Sequence, residues 1–202
     1  MMQLFDNPAS PFCRKVQVLL RETGQTNDVE VLFAVGHPLA PEKMPTAQNP
    51  LGKIPTLVRP DGPALYDSRV ICRFLDDRAK AGLYPEGAIW DILTLEATAD
   101  GLMEAAVLMV YEFRTRPEDK QFAEGVEGQW AKVVRALDAL EERWMGHLAG
   151  PLNIGQIAVG CALGYLDFRH ADRDWRQGRT VLADWYAGFA DRDSMKATVP
   201  SA

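Results

Sequence analysis

The stretch that decides the fold runs from residue 2 to residue 16: Met2-Gln3-Leu4-Phe5-Asp6-Asn7-Pro8-Ala9-Ser10-Pro11-Phe12-Cys13-Arg14-Lys15-Val16. Its first residues are a short apolar run stopped by the turn residues Asp6-Asn7-Pro8, which predicts a strand. The period then changes. Phe12, Val16, Leu19 and Leu20 recur at helical spacing, with Pro11 at the first helical position and Gly24 just past the end. Residues 29–35, rich in β-branched side chains, predict a second strand. Parallel pairing with the first strand makes a right-handed βαβ unit.

Working outward, the stretch 38–50 is punctuated by prolines and shows no clear period. Thr56-Leu57-Val58 and Ala64-Leu65-Tyr66 flank Arg59-Pro60-Asp61-Gly62-Pro63, a hairpin loop by its turn residues, so two antiparallel strands are expected. Asp67-Ser68 then precedes Val70, Ile71, Phe74 and Leu75, one face of a helix closing near residue 81. The order is βαβ-ββα. Residues 82–88 carry Gly82, Pro85 and Gly87 and read as a linker between a first domain, 1–81, and a second, 89–202. The second domain is helical throughout. Helices are expected from 89 to about 114, from 118 to about 148, from about 153 to 168, and from 181 to 190.

Charge and composition narrow the function. The net charge of −6 is uneven, since residues 1–80 carry 10 basic and 9 acidic side chains and residues 81–202 carry 12 and 19. So acidic a second half argues against a nucleic-acid partner, and a small anionic ligand sits more comfortably on the first. No long uncharged apolar run and no secretory leader pattern occur, which points to a cytoplasmic protein without a membrane partner. Cys13, Cys72 and Cys161 are odd in number and widely spaced, which suits a reducing compartment. The histidines and tryptophans show no metal-ligand spacing, so no metal site is expected.

Most candidate residues have an ordinary structural explanation beside a chemical one. Ser10, at a strand-to-helix turn, either caps the helix or donates to a docked group. Cys13 follows it as in a Cys-x-x-Cys motif whose first cysteine has become serine, which excludes a dithiol mechanism and leaves a small buried hydrophobe or an alternative nucleophile. In Ile54-Pro55 the proline holds the preceding residue extended and removes a backbone donor, as a loop proline ahead of an edge strand would. Asp67 and Ser68 cap a helix or bind an anion at its N-terminus. Lys53 and His37 are solvated side chains or carboxylate partners. Asp100 reads by itself as an exposed helix carboxylate. Met103, Val107 and Tyr111 recur at i, i+4, i+8, a core stripe or a pocket wall, and the first two are taken as wall candidates. Asn153 and Gln156 have capping-box spacing.

In order along the chain, Ser10-Pro11-Phe12-Cys13-Arg14-Lys15-Val16, Asn49-Pro50-Leu51-Gly52-Lys53-Ile54-Pro55-Thr56-Leu57-Val58, Tyr66-Asp67-Ser68 and Ile157-Ala158-Val159-Gly160-Cys161-Ala162 resemble the cytosolic glutathione transferase superfamily. Ala99-Asp100-Gly101-Leu102-Met103-Glu104-Ala105 and Gly164-Tyr165-Leu166-Asp167-Phe168-Arg169 bring it closest to poorly characterised bacterial members. The resemblance implies an α/β thioredoxin-like domain followed by an all-helical domain, usually as a homodimer. It implies glutathione as co-substrate, conjugated to a small hydrophobic electrophile in detoxification, with peroxidase or isomerase side activity from the same site. Ser10 would stabilise the thiolate. Phe12, Lys53, Ile54, Pro55, Asp67, Ser68 and Asp100 would bind glutathione, the last across the dimer, and the Ile54–Pro55 bond would be cis. The superfamily generally places Ser or Thr and then Asp where this chain has Asn153 and Gln156. The alternative is a glutathione-binding or protein-interaction module with little turnover.

Overall fold

The computed structural model describes residues 1–35, 37 and 39–201. Pro38, which opens the proline-punctuated stretch, lies outside the described residues. Two compact units emerge: Met1–Gly87 together with Asp193–Ala202, and Ala88–Arg192.

In the first unit, β1 (Met2–Asp6) turns through Pro8 into α1 (Pro11–Glu22). Pro11 occupies the first helical position, and Gly24 follows the end of the helix at φ +67°, a left-handed conformation that glycine adopts without a Cβ clash. The chain returns in β2 (Val29–Phe33), which pairs parallel to β1 from Met2↔Val29 to Asp6↔Phe33. β3 (Thr56–Val58) pairs antiparallel on the other side of β1, with Phe5 opposite Thr56, giving the order β2-β1-β3. Leu4 and Leu57, paired at the centre, are fully buried.

The predicted fourth strand at 64–66 is reduced to one residue pair. Leu65 exchanges both main-chain hydrogen bonds with Leu57, at 3.0 and 2.8 Å, and no further residue joins the ladder. Pro63 lacks an amide to donate, and its carbonyl accepts from Arg59 Nε at 3.1 Å instead of from a strand. α2 (Ser68–Ala79) follows at once and packs on α1. Gln25 ties their far ends together, its amide donating to Leu75 O at 2.9 Å and its oxygen accepting from Arg78 at 2.6 Å.

The second unit is helical. α3 (Ile89–Thr115) is its longest helix. The single helix expected over 118–148 divides instead: a 3₁₀ turn at Glu118–Lys120, then α4 (Ala123–Ala139), a π-helical turn at Leu140–Trp144, and α5 (Met145–Leu148). Gln121 and Phe122 stay extended, and the Phe122 amide donates to Glu112 Oε1 at 2.9 Å, so α4 cannot start earlier. Within the π turn, the Glu141 carboxylate accepts from the amides of Val181 and Leu182 at 3.2 and 2.7 Å, which satisfies the start of α7 (Thr180–Ala190).

Between these lies α6 (Ile154–Arg169), buried continuously from Ile154 to Leu166. A helix apolar on every side belongs at the centre, and each of its leucines and isoleucines contributes about 1.5–3 kcal/mol by leaving water. α6 approaches α3 closely at Gly155, where a Cβ would meet Leu95 at 2.8 Å.

The last segment departs from the expected division of the chain. α8 (Asp193–Lys196) and the residues after it cluster with the first unit, although 89–202 reads as one helical domain in the sequence. Arg14 of α1 donates to Met195 O at 3.1 Å and to Thr198 Oγ1 at 3.4 Å, and Ser194 hydrogen-bonds Glu22.

Candidate functional site

Strand register sets the site. β1 ends where β3 begins, so the β1–α1 loop and the loop before β3 meet at one edge of the sheet. Asn7 shapes the first loop. Its side chain donates to Ala34 O at 2.9 Å and accepts from the Ala9 amide at 2.9 Å, while its carbonyl accepts from Ser10 N. Ser10, half-buried, is the N-cap of α1, and its Oγ accepts from the Cys13 amide at 3.3 Å. Phe12 is half-buried one turn on.

Cys13 is fully buried, and its thiol is pushed far above the ordinary range by burial and by the Asp6 charge, against a smaller opposing pull from Ser10. A thiol held protonated in this way does not serve as a nucleophile at neutral pH. Of the two readings open to Cys13, the burial fits the small hydrophobe.

Asn49 builds the second loop. It is 1% exposed, donates to Lys53 O at 3.0 Å and to Thr56 Oγ1 at 3.1 Å, and accepts from the Leu51 amide at 3.0 Å. Thr56 Oγ1 in turn donates to Lys53 O at 2.8 Å. These bonds fix the loop that carries Lys53, which is exposed, and Ile54, half-buried ahead of a cis bond to buried Pro55. Ile54 has no main-chain hydrogen-bond partner among the described residues. Its edge is open to an extended ligand.

At the start of α2, Asp67 is the N-cap, its carboxylate accepting from the Arg69 amide at 3.0 Å and from the Arg69 guanidinium at 2.8 Å. Burial works to raise its pKa, but the Arg69 bonds and the charges of Arg69 and Lys15 outweigh it and hold the carboxyl below the usual range. Ser68 is 2% exposed, and its hydroxyl has no partner among the described residues. The first amides of α2 face the same way, an arrangement that accepts an anion. Lys15 of α1 is fully buried, its charge helps hold Asp67 low, and α1 packs on α2.

Ser10, Phe12, Lys53, Ile54, Pro55, Asp67 and Ser68 thus all belong to the first unit. His37 is half-buried, and its Nδ1 accepts from the Leu39 amide at 3.2 Å. Asp100, in the second unit, is 4% exposed, which excludes the solvent-facing helix carboxylate that its sequence position allows. Met103 is fully buried in the core, whereas Val107 and Tyr111 are half-buried, so the stripe is packing at its first position. Asn7, Asn49 and Lys15 are absent from the sequence-derived site. The first two had a signal, each being an Asn before Pro at a turn, but their action on loop carbonyls had none. No cluster of three or more potential metal ligands occurs among the described residues. No helix among them is long and apolar enough to cross a membrane.

The profile of the glutathione S-transferase N-terminal domain matches residues 9–78, and that of the C-terminal domain matches residues 123–188. The chain belongs to the glutathione S-transferase family. The GST-like protein YibF of Escherichia coli, itself uncharacterised, is 32% identical over 98% of each chain. A glutathione transferase family member from Pseudomonas fluorescens Pf-5, with bound glutathione, is 47% identical over the whole of both chains at a TM-score of 0.97. A structure from the same organism with bound S-(propanoic acid)-glutathione is 46% identical over both whole chains at a TM-score of 0.92. The fold is therefore the thioredoxin-like domain followed by a helical domain of these transferases. The loops around Ser10 and Ile54 and the start of α2 all fall within the matched N-terminal region.

Proposed function

We propose that this chain is a glutathione transferase in which the Ser10 hydroxyl stabilises the glutathione thiolate for attack on a small hydrophobic electrophile. The observation that carries the reading is a contrast within one turn of α1: Ser10 is half-buried at the helix N-terminus, while the Cys13 thiol is fully buried and kept protonated. Glutathione bound to a relative 47% identical supports the ligand.

A free thiol of pKa about 8.5 is only a few per cent thiolate at pH 7. Lowering it by about two units requires about 2.7 kcal/mol of preferential stabilisation of the anion. A hydrogen bond to a charged group supplies about 1.5–3 kcal/mol, and the positive end of α1 adds about 0.3–1 kcal/mol. One serine at one helix start is therefore sufficient. Ile54 pairs its open main chain with the cysteinyl segment of glutathione, beside Pro55 and Phe12. Ser68 and the first amides of α2 receive the γ-glutamyl carboxylate, Asp67 its ammonium, and Lys53 the glycyl carboxylate. Sulfur attacks the electrophile as its leaving group or π bond takes up the electron pair, and the thiol proton passes to solvent.

In this reading the protein works in the cytoplasm as a homodimer, with Asp100 completing the γ-glutamyl site of the second subunit and Val107 bordering the electrophile. Detoxification is its physiological setting.

Calorimetric titration with glutathione, followed by the ultraviolet absorbance of the bound thiolate against pH, tests it. Saturable binding with the thiol pKa pulled well below its free value is expected. A Ser10→Ala variant with unchanged thiol pKa and turnover would remove the serine assignment, and no binding at millimolar glutathione would remove the transferase reading.

A further inference from the structure

The turn between β1 and α1 has few main-chain donors. Pro8 and Pro11 carry no amide hydrogen, so within residues 8–11 only Ala9 and Ser10 can donate. Both donate to Asn7, the Ala9 amide to its Oδ1 and the Ser10 amide to its carbonyl, each at 2.9 Å. The other arm of the side chain, Nδ2, donates to Ala34 O at 2.9 Å, and the Ala34 amide donates to Asp6 O at 2.8 Å. Ala34 comes directly after Phe33, the last residue of β2, so these bonds carry the β1–β2 pairing past its final rung. One half-buried side chain therefore ties the turn to the edge strand of the sheet.

The Ser10 hydroxyl is held less tightly than the turn that carries it. The Ser10 backbone is extended, at φ −90° and ψ 122°, and its Oγ makes a cap bond of 3.3 Å, longer than the roughly 2.7–3.2 Å of an ordinary amide hydrogen bond. So long a cap bond does little to fix where Oγ sits, and that place follows from the backbone beneath it. A displacement of about 1 Å at a reacting centre can cost about a hundredfold in rate.

We propose that Asn7 is a positioning residue for the reaction: by taking both amides of the turn and anchoring to Ala34, it holds the Ser10 hydroxyl where it meets the glutathione sulfur. This rests on the reading that Ser10 stabilises the thiolate. In this role Asn7 acts through Ser10 and not on the sulfur itself. The competing explanation is an Asx turn that stabilises the fold and has no bearing on the sulfur.

The test measures bound-thiol pKa, turnover against pH and denaturant midpoint for the parent, Asn7→Ala, Ser10→Ala and the double variant. Asn7→Ala is expected to raise the bound-thiol pKa by about 0.5–1 unit and to lower turnover at pH 7 by about three- to tenfold. The gap closes above both pKa values, where the thiol ionises without help. The double variant has the thiol pKa of Ser10→Ala, because the two residues act as one unit. Asn7→Ser, whose shorter arm can accept from the Ala9 amide but falls short of Ala34 O, recovers part of the shift. Gln25→Ala is the structural control. It releases Leu75 O and Arg78 at the far ends of α1 and α2, so the denaturant midpoint falls while the thiol pKa stays put.

A folded Asn7→Ala with the parent's thiol pKa, or a shift that adds in full to that of Ser10→Ala, overturns the positioning role. If Asn7→Ala does not fold, Asn7→Ser takes its place, with a smaller rise expected and the parent's value overturning the proposal. Ser10→Ala with an unchanged thiol pKa removes the serine reading and this proposal with it. A raised pKa in Ser10→Ala beside an unmoved one in Asn7→Ala removes only the role of Asn7.

Discussion

α1 and α6 both begin with a polar side chain that accepts from the amide three residues on, and the two starts are otherwise opposites. At α6, Asn153 Oδ1 accepts from the Gln156 amide and Gln156 Oε1 from the Asn153 amide, each at 3.2 Å. The Gln156 amide nitrogen then reaches the carbonyls of His147, Leu148 and Gly150 at 3.2, 3.0 and 2.9 Å, and both side chains are buried. At α1, Ser10 makes one cap bond at 3.3 Å and stays half-buried, with no acidic residue in the first turn to close the box. A closed start spends its polar groups on the chain itself. An open one leaves a hydroxyl and a positive helix end for something else.

The largest effect is expected at the closed start. Gln156→Ala removes half of the box and strands carbonyls at the end of α5, each costing about 1–3 kcal/mol if left without water, so a loss of about 3 kcal/mol is expected. That corresponds to a fall of about 6–12 °C in the midpoint of thermal unfolding for a chain of this size. Glutathione affinity of the folded protein is unchanged. Gln156→Glu, which keeps the Oε acceptor, recovers only the box. A variant that kept its stability while losing glutathione would reverse the roles assigned to the two starts.

Ser10→Ala is the converse. It costs about 1 kcal/mol of stability as a lost N-cap, seen as a small shift in denaturant midpoint. Its larger effect, about 2 kcal/mol, falls on the thiolate, read as a bound-thiol pKa higher by about 1.5 units and turnover at pH 7 reduced at least about tenfold. Equal losses in stability and turnover would mean that Ser10 is only a cap.

Cys13 sharpens the same contrast through pH. Its folded pKa is raised, so its contribution to stability is complete below the thiol's unfolded value of about 8.5 and is lost as pH rises beyond that towards the folded value. Cys13→Ala costs about 1 kcal/mol at pH 7 for the lost packing, and the variant loses less than the parent between pH 7 and pH 10 in denaturant titrations. The thiol pKa of bound glutathione does not move. If it does, Cys13 takes part in the chemistry that burial denies it.

How much of this was legible in the sequence depended on range. Ser10-Pro11, Gly24 and Asp67-Ser68 announce helix ends through local backbone preferences, and the structure places caps and turns there. Asn153 and Gln156 announce their box by spacing, and the structure forms it although the superfamily generally has Ser or Thr and then Asp there; glutamine's second arm adds bonds that a carboxylate could not donate. What was hidden depends on partners far away in the chain. The division of the long helix after Glu118 turns on Glu112 and on Glu141 against α7, and the attachment of the last ten residues turns on Arg14 and Glu22. Hairpin residues at 64–66 had the right turn but a proline at the point where pairing should begin. Within the candidate site, the residues proposed to meet glutathione came from the resemblance, while Asn7 and Asn49, which hold their loops, had no part in it. Side chains that bond main-chain carbonyls leave no periodic trace.

The smallest effect is expected at Lys53, and it separates the residue from the loop that carries it. Lys53 is exposed, and its carbonyl, not its ammonium, is what Asn49 and Thr56 hold. Lys53→Met therefore leaves the loop intact and removes only a screened charge beside the proposed glycyl carboxylate. An exposed pair contributes about 0.2–1 kcal/mol, so glutathione affinity should fall by about 1.5- to 5-fold at low salt. The gap to the parent closes as ionic strength approaches about 1 M, where the screening length is only about 3 Å. Unfolding midpoint and bound-thiol pKa stay put. A loss that persists in high salt would mean that the lysine stem shapes the loop after all, and the distinction between an open, ligand-facing side chain and a closed, chain-facing one would fail at this position first.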